Sequence, residues 1–275
     1  MNRTQVTKNI RFNTFEGWRN QCRLIHFTML KNPFPKLDSF PYISLADMDD
    51  VALMKRVDTK FILSRSKLNS ILKELASDYS ILEINHERLM HYHTRYFDTN
   101  ERQFYFDHHN RRAKRTKIRI RTYTASNLHF LEIKRKNVKG QTNKTRIRVA
   151  ANETQLSQAA SAFIAQSDIN HLNLSATLEN SFDRFTLVNT ARTERVTIDL
   201  NLTYNERTFN DDLVIIELKQ KRYNRMSPLA QALKRHRIYP GSISKYCMGV
   251  AFLNPNFKQN NFKTKFRSIN KITST

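Results

Sequence analysis

The sequence predicts an α+β chain built on an antiparallel sheet, a meander or barrel, with a few helices against it. Three observations carry that expectation. Segments with side-chain alternation of period 2 follow one another from about Met54 to residue 221, too many for a βαβ arrangement. Only 4 glycines occur in the chain, at Gly17, Gly140, Gly241 and Gly249, so no Gly-rich loop of the Walker or dinucleotide-binding kind is present. Cations alternate with apolar residues along the strands, which sorts them onto one face.

Taken in order, residues 1–45 form a lead-in in which Pro33, Pro35 and Pro41 favour extended chain. Strands are predicted over 55–63, 88–98, 103–108, 115–123, 128–136, 143–149, 180–189, 194–203 and 212–221. A helix is predicted over 65–77, where Leu68, Ile71, Leu72 and Leu75 recur at helical spacing behind serines that can cap it. Residues 153–165 are rich in helix formers. Ser227-Pro228 supplies a cap and an N1 proline for a helix to about His236, and another runs from near Ser242 to near Leu253. His108 and His109 are expected in a turn. Residues 254–275 hold five Lys or Arg, no acid and many Asn; they read as a basic flexible tail that is disordered or docks late.

Of 275 residues, 47 are Lys or Arg and 24 are Asp or Glu, a formal net charge of +23. A balance so far from neutral points to a polyanionic partner: nucleic acid, a membrane surface or a phosphate-rich small molecule. Cys22 and Cys247 form neither a metal spacing nor a disulfide framework and suit a reducing compartment. The N-terminus lacks an apolar secretory region, and no apolar run approaches ~20 residues. The expectation is a cytoplasmic protein with no membrane segment of its own, which leaves room for a separate membrane partner.

The charge is concentrated. Residues 111–148 hold fourteen Lys and Arg and one acid, Glu132. In KIRIRTY, Lys117, Arg119, Arg121 and Tyr123 share a face and Ile118 and Ile120 lie opposite. Glu132, Lys134 and Lys136 oppose Leu131 and Ile133; Lys144, Arg146 and Arg148 alternate with Ile147 and Val149. Arg56, Asp58 and Lys60 repeat the scheme, as do Arg195, Thr197 and Asp199, and Glu217, Lys219 and Lys221. A solvated outer face is the ordinary explanation for any one such strand. It explains the set less well, because like charges directly opposite across strands cost up to ~1 kcal/mol per pair. The pattern suits faces that curl around a wet cavity and hold a polyanion by charge-assisted bonds, with the apolar faces outward under helices.

The motifs RVDTKFIL (56–63), RYFDT (95–99), KIRIRTY (117–123), FLEIKRK (130–136), KTRIR (144–148), FDRFTL (182–187), ERVTIDLNL (194–202), VIIELKQ (214–220) and SISKYCMG (242–249) together resemble the VTC-type polyphosphate polymerase domain of the triphosphate tunnel metalloenzyme superfamily, a CYTH-like fold. They run in family order over roughly 40–253, which frames a tunnel domain at 46–253 between the lead-in and the tail. The resemblance implies an antiparallel β-barrel tunnel of about eight strands, lined with basic residues and closed by flanking helices. It implies Mn²⁺ or Mg²⁺ and a nucleoside triphosphate such as ATP. Carried over by motif, the phosphate-binding cations are Lys60, Arg119, Arg121, Lys134, Lys144, Arg184, Arg195 and Lys245, with Ser244 beside the last. Glu217 is the implied metal ligand, and Lys136, Arg146 and Lys219 are further tunnel residues. Two positions depart from the family pattern. Phe182 stands where a Tyr is usual, and the first strand offers only Asp58 where hydrolytic relatives carry several glutamates.

The resulting expectation is an ATP-dependent polyphosphate polymerase, with ATP and polyphosphate as partners. The alternatives are a metal-dependent tripolyphosphatase or nucleoside triphosphatase on the same fold, and a non-catalytic binder of polyphosphate or nucleic acid. Basic, aromatic-containing β proteins often bind RNA. No RNP-type motif is present and the charges follow strand faces, so nucleic acid is not the expected partner.

Overall fold

Alternation of period 2 places a strand wherever one face can be buried, and here the buried apolar face is the outer one. The structure, a computed structural model, describes residues 35–51, 56–150, 153–167, 169 and 173–273. Most of the expected lead-in therefore lies outside the described residues. The strands are β1 (Tyr42–Ile43), β2 (Val57–Ser64), β3 (Tyr79–Leu82), β4 (Met90–Asp98), β5 (Arg115–Tyr123), β6 (Leu128–Lys136), β7 (Thr142–Val149), β8 (Ser175–Asn189), β9 (Glu194–Tyr204), β10 (Arg207–Thr208) and β11 (Leu213–Gln220). The helices are α1 (Arg65–Leu75), α2 (Gln103–His109), α3 (Gln158–Ala165), α4 (Pro228–Arg235), α5 (Lys245–Leu253) and α6 (Asn260–Thr273).

The fold is α+β, and its centre is one antiparallel path of eight strands in the order β2-β11-β9-β8-β4-β5-β6-β7. β1 pairs parallel with β3, and β3 joins the sheet through β8. The path does not close by hydrogen bonding, since β2 and β7 are its two ends among the described residues. It curls all the same. Lys134 on β6 lies close enough to Lys60 and Asp58 on β2 and to Glu217 on β11 to be titrated by their charges, although four strands stand between β6 and β11 in the path.

Side-chain parity then decides what lies outside. Phe61, Leu63, Phe185, Leu187, Val196, Ile198, Ile216 and Leu218 are buried, and α1 packs on β2, β11 and α4 over them. Ile118, Ile120, Leu131 and Ile133 are buried on the same outer side of the β5–β6 hairpin. The inward parity is restored across an irregularity. Opposite β8, β9 carries an extra residue at Asn201, whose φ is 54°, so Asp199 before it and Tyr204 after it face the same way.

Four expectations are corrected. Residues 103–108 form helix α2, not a strand. The Asp98 carboxylate accepts the N–H groups of Phe104 (2.9 Å) and Tyr105 (3.1 Å) and so satisfies the first turn. His108 and His109 accordingly close that helix in place of a turn. The tail is not irregular: α6 runs over Asn260–Thr273 and buries Phe262 and Ile269, seven residues apart on one face. Finally, Ser64 stands at the N-cap of α1 but makes no cap bond; its Oγ meets Ser66 Oγ at 2.8 Å. Helix α3 begins at Gln158 behind a Ser157 cap, later than the expected 153, while the starts of α4 and α5 agree with the sequence. Ser227 Oγ accepts from Ala230 N ahead of Pro228, and Ser244 Oγ accepts from Cys247 N.

Candidate phosphate-binding bore

The inward face gathers cations from seven strands and one helix terminus. They are organised around the buried carboxylates of Glu132 and Asp199 and the half-buried one of Glu217. On β6, Glu132 accepts from Arg119 Nε at 2.7 Å and from Lys144 Nζ at 2.5 Å. On β9, Asp199 accepts a bidentate fork from Arg184, Nε at 2.5 Å and Nη2 at 2.8 Å, and an ion pair from Lys245. On β11, Glu217 is held between Lys60, its partner across β2, and Lys219, whose Nζ lies 2.8 Å from Oε2. Lys219 also donates to Thr197 Oγ1 at 2.9 Å.

Each carboxyl is pushed up by burial and pulled down further by its cations. Lys219 and Lys60 hold Glu217 well below the usual carboxylate range; Arg184 and Lys245 do so for Asp199, and Arg119, Arg121 and Lys144 for Glu132. All three are therefore ionised at neutral pH. The lysines move the other way. Burial brings Lys117, Lys219 and Lys245 down to about 8. Burial and the neighbouring Lys60 also lower Lys134, which remains water-accessible.

The cations outnumber those carboxylates. Lys117, Lys134 and Lys144 stand directly opposite one another on β5, β6 and β7 with no acid in the row. Lys117 Nζ donates to Ser244 Oγ at 3.1 Å, which ties β5 to the start of α5. Arg121 is buried, and its Nε has no protein partner. The other buried side-chain polar atoms without a protein partner, among the described residues, are on Thr94, Asn180 and Tyr204. Register places all four on one row across β5, β4, β8 and β9. Unpaired polar groups confined to an inward face mark a surface that water or a polar ligand completes.

An aromatic layer supports the cations. Tyr92 and Phe182 stack with centroids 5.4 Å apart and planes 4° from parallel. The Arg184 guanidinium lies 5.2 Å from both rings, and Lys245 Nζ lies 4.3 Å above Phe182. A phenyl ring in place of the usual phenol thus still engages the helix-borne lysine through its face.

The structure brings together Lys60, Arg119, Arg121, Lys134, Lys144, Arg184, Lys219, Ser244, Lys245 and Glu217. Arg195 stands opposite Lys219 and is lowered by burial and by Arg56 and Arg184. Two expected residues make no ion pair with these carboxylates, although Arg146 stands directly opposite Glu132 in the register. Arg146 is exposed and stacks 4.7 Å over Phe130, and Lys136 sits at the strand end opposite Arg115. Lys117, Glu132 and Asp199 belong to the assembly although the family resemblance implies no role for them. Their signal in the sequence is parity, since each shares a strand face with an implied phosphate-binding residue. The histidines are on the outer face, His91 with Asp183 at 2.7 Å and His93 with Glu179 at 2.9 Å.

Among the described residues no three His, Cys, Asp or Glu side chains cluster to hold a metal ion. Glu217 is a single carboxylate with both oxygens on lysines. That donor set fits a divalent ion of the Mg²⁺ type, which takes one or two carboxylates and completes its shell with phosphate oxygens and water. It does not fit an ion held by protein alone.

Among the described residues, no helix is long and apolar enough to cross a membrane. The family profile described as the VTC domain matches residues 55–254. No curated protein matches the sequence. Among solved structures, a candidate adenylate cyclase from Vibrio parahaemolyticus is similar with a TM-score of 0.44 at 10% identity, over 70% of this chain and 97% of that one. A candidate adenylyl cyclase from Hippeastrum with a dominant triphosphatase activity is similar with a TM-score of 0.44 at 13% identity, over 72% and 96% of the two chains. The PH1819 protein from Pyrococcus horikoshii has a TM-score of 0.35 at 12% identity, over 66% and 86%. With the profile spanning the curled sheet from the start of β2 to the end of α5, the chain belongs to the VTC domain family.

Proposed function

We propose that this domain is an ATP-dependent polyphosphate polymerase, moving the γ-phosphoryl group of a nucleoside triphosphate onto the end of a phosphate chain within the bore. The observation that carries the proposal is the state of the carboxylates. Glu132, Asp199 and Glu217 are each held ionised by two or more cations. Strongly acidic carboxylates are poor general bases for water. A terminal phosphate oxygen is already ionised and needs no base to act as acceptor.

Phosphoryl transfer asks the protein mainly to position phosphates and neutralise charge. Lys60, Lys134, Arg119 and Arg121 face the bore from three strands and hold the donor's phosphates in line. Arg184 and Lys245, pre-aimed by Asp199, add donors from β8 and α5. Lys60 and Lys219 exchange Glu217 for phosphate oxygens as the anion enters, which frees that carboxylate. A divalent ion, Mn²⁺ or Mg²⁺, supplies Lewis-acid charge to the transferring group when bound, and Glu217 is the residue that would hold it. Lys144 and Arg195 widen the cationic lining, Ser244 offers its hydroxyl at the α5 terminus, and Lys136 and Arg146 serve the rim.

The test is product analysis. Purified protein is incubated with ATP and Mn²⁺ and the products are resolved by chain length. Long phosphate chains with ADP are the expected result. Free phosphate alone would assign water as the acceptor and a hydrolase in place of a polymerase. Unchanged ATP with retained tripolyphosphate binding would leave a non-catalytic binder.

A further inference from the structure

The charge balance along the bore is lopsided. Toward one strand end the inward rows on β5 and β6 are, in order, Arg119 opposite Glu132, then Lys117 opposite Lys134, then Arg115 opposite Lys136. Acids stop at Glu132 and cations continue for two further rows. At that end the chain adds a contribution from outside the family match, the C-terminal helix α6. Asn261 docks it on α2 by donating to the His109 carbonyl at 2.8 Å, and Phe262 packs against the His108 and His109 rings. Lys265, one turn on, donates to Ser242 Oγ at 2.9 Å, two residues from the Ser244 hydroxyl that receives Lys117. The segment entering α5 is thus gripped by one ammonium from β5 and one from α6.

Arg111, in the loop after α2, completes the group. His108 sits among Lys117, Arg115, Lys265 and Lys136, and burial together with those cations brings it down to about 3. Lys265 in turn is lowered by burial and by Arg111 and Arg115. No carboxylate pairs with Arg111, Arg115, Lys136 or Lys265 among the described residues. Asp107, on α2, faces Arg112 at 3.6 Å. The loop after α2 also lines a cavity of about 610 Å³, where Arg112, Lys114 and Lys258 are joined by the carboxylate of Asp107; none of Arg111, Arg115, Lys136 or Lys265 lines it. Like charges gathered without a counter-charge are costly unless an anion completes them.

We propose that Arg111, Arg115, Lys136 and Lys265 form a second phosphate-chain station, outside the triphosphate bore, with Lys265 supplied by the C-terminal helix. From Arg121 to Arg115 is six residues of strand, ~20 Å at ~3.3 Å per residue, although Lys134 of the bore lies only two residues, ~7 Å, from Lys136; a triphosphate anchored at Arg121 therefore stops short of Arg115, and a longer chain does not. The station therefore distinguishes a polyphosphate chain from a nucleotide. It rests on the phosphate-chain reading above and names where that chain continues.

The test compares inorganic tripolyphosphate with inorganic polyphosphate of several tens of units, by calorimetry on the full chain. The variants are Lys265→Ala, Lys265→Gln and the double variant Arg111→Ala/Arg115→Ala, each checked for its melting transition. The expected result is a loss of about tenfold or more in affinity for the long chain with tripolyphosphate affinity unchanged. The salt dependence of long-chain binding becomes shallower, as lost phosphate contacts release fewer counterions. Unchanged long-chain affinity in folded variants overturns the station and leaves the bore standing. Wild-type protein that binds neither ligand overturns both readings. A single-stranded RNA that binds more tightly than the phosphate chain, and loses affinity in the same variants, would reassign the cluster to nucleic acid.

Discussion

Lys134 shows what the bore does to a single residue. It faces Lys60, Asp58 and Glu217 across the sheet and has like charges on both neighbouring strands. No carboxylate bond holds it, so an arriving phosphate offers it a first strong partner. Lys134→Ala is expected to weaken tripolyphosphate binding about tenfold or more, the range of a lost charge-assisted bond at ~1.5–3 kcal/mol. Calorimetry checks this, and an unchanged affinity would put Lys134 outside the binding path. The same environment sets a pH dependence. Lys117, Lys219 and Lys245 titrate near 8 when folded, mainly through burial, against ~10.4 in an unfolded chain. Between those values the unfolded state binds more protons, so stability of the free protein rises with pH across that window. Anion affinity runs oppositely, because the ammonium groups are lost as pH passes 8. Melting temperature is expected to rise from pH 7.5 to 9.5 while tripolyphosphate affinity falls about tenfold; affinity that stays flat would contradict the shifted lysines. Much of this residue set was legible in advance, because alternation alone assigns Arg119, Lys134 and Glu217 to one face. The pairing of Arg184 with Asp199 was not, since it depends on strand neighbours that parity cannot name.

At the level of elements, α5 carries the most consequence per residue. Its first turn delivers Lys245 to Asp199 and Ser244 to Lys117. Its orientation is fixed from behind by Tyr246, whose hydroxyl donates to the buried Asp98, the same carboxylate that caps α2. Gly249 lets the helix approach. A Cβ there would stand 2.5 Å from the Tyr204 ring and 2.7 Å from Leu178. Gly249→Ala is therefore expected to push the helix off its seat, costing roughly 1–3 kcal/mol of stability and drawing Lys245 away from the bore. A lowered melting temperature together with weaker tripolyphosphate binding is the expected pair of outcomes. Weaker stability with full affinity would show that α5 does not set the lysine's position. The elements that the sequence misplaced share one cause. Phe104 and Phe106 alternate like a strand, yet Asp98, five residues before Gln103, supplies a helix cap that no local pattern announces. In the tail, Phe262, Phe266 and Ile269 have helical spacing, but five cations in the stretch dilute the apolar signal. What makes α6 a helix is its docking on β2 and on the end of α2, the latter through a contact 152 residues away in sequence.

For the whole molecule, the governing features are a net charge of +23 and a curled sheet that turns rows of Lys and Arg inward while its apolar face is spent on its outer helices. Self-repulsion destabilises the compact state when no counter-charge is present. Simple salt relieves it by screening, which needs a Debye length shorter than the spacing of the cations: ~10 Å at 0.1 M and ~3 Å at 1 M. A bound phosphate chain relieves it directly. Mass action adds about 2.7 kcal/mol of stability at a free ligand concentration 100 times its dissociation constant. Two regimes follow for the melting temperature. Sodium chloride is expected to raise it gradually over hundreds of millimolar, whereas tripolyphosphate raises it at micromolar concentration, and raising the salt erodes that second effect. If the cations were spread over an open exterior, tripolyphosphate would act as a screening ion and its effect would track ionic strength alone. Equal shifts from both salts at matched ionic strength would therefore remove the enclosed bore, and with it the case for an extended phosphate chain as its occupant.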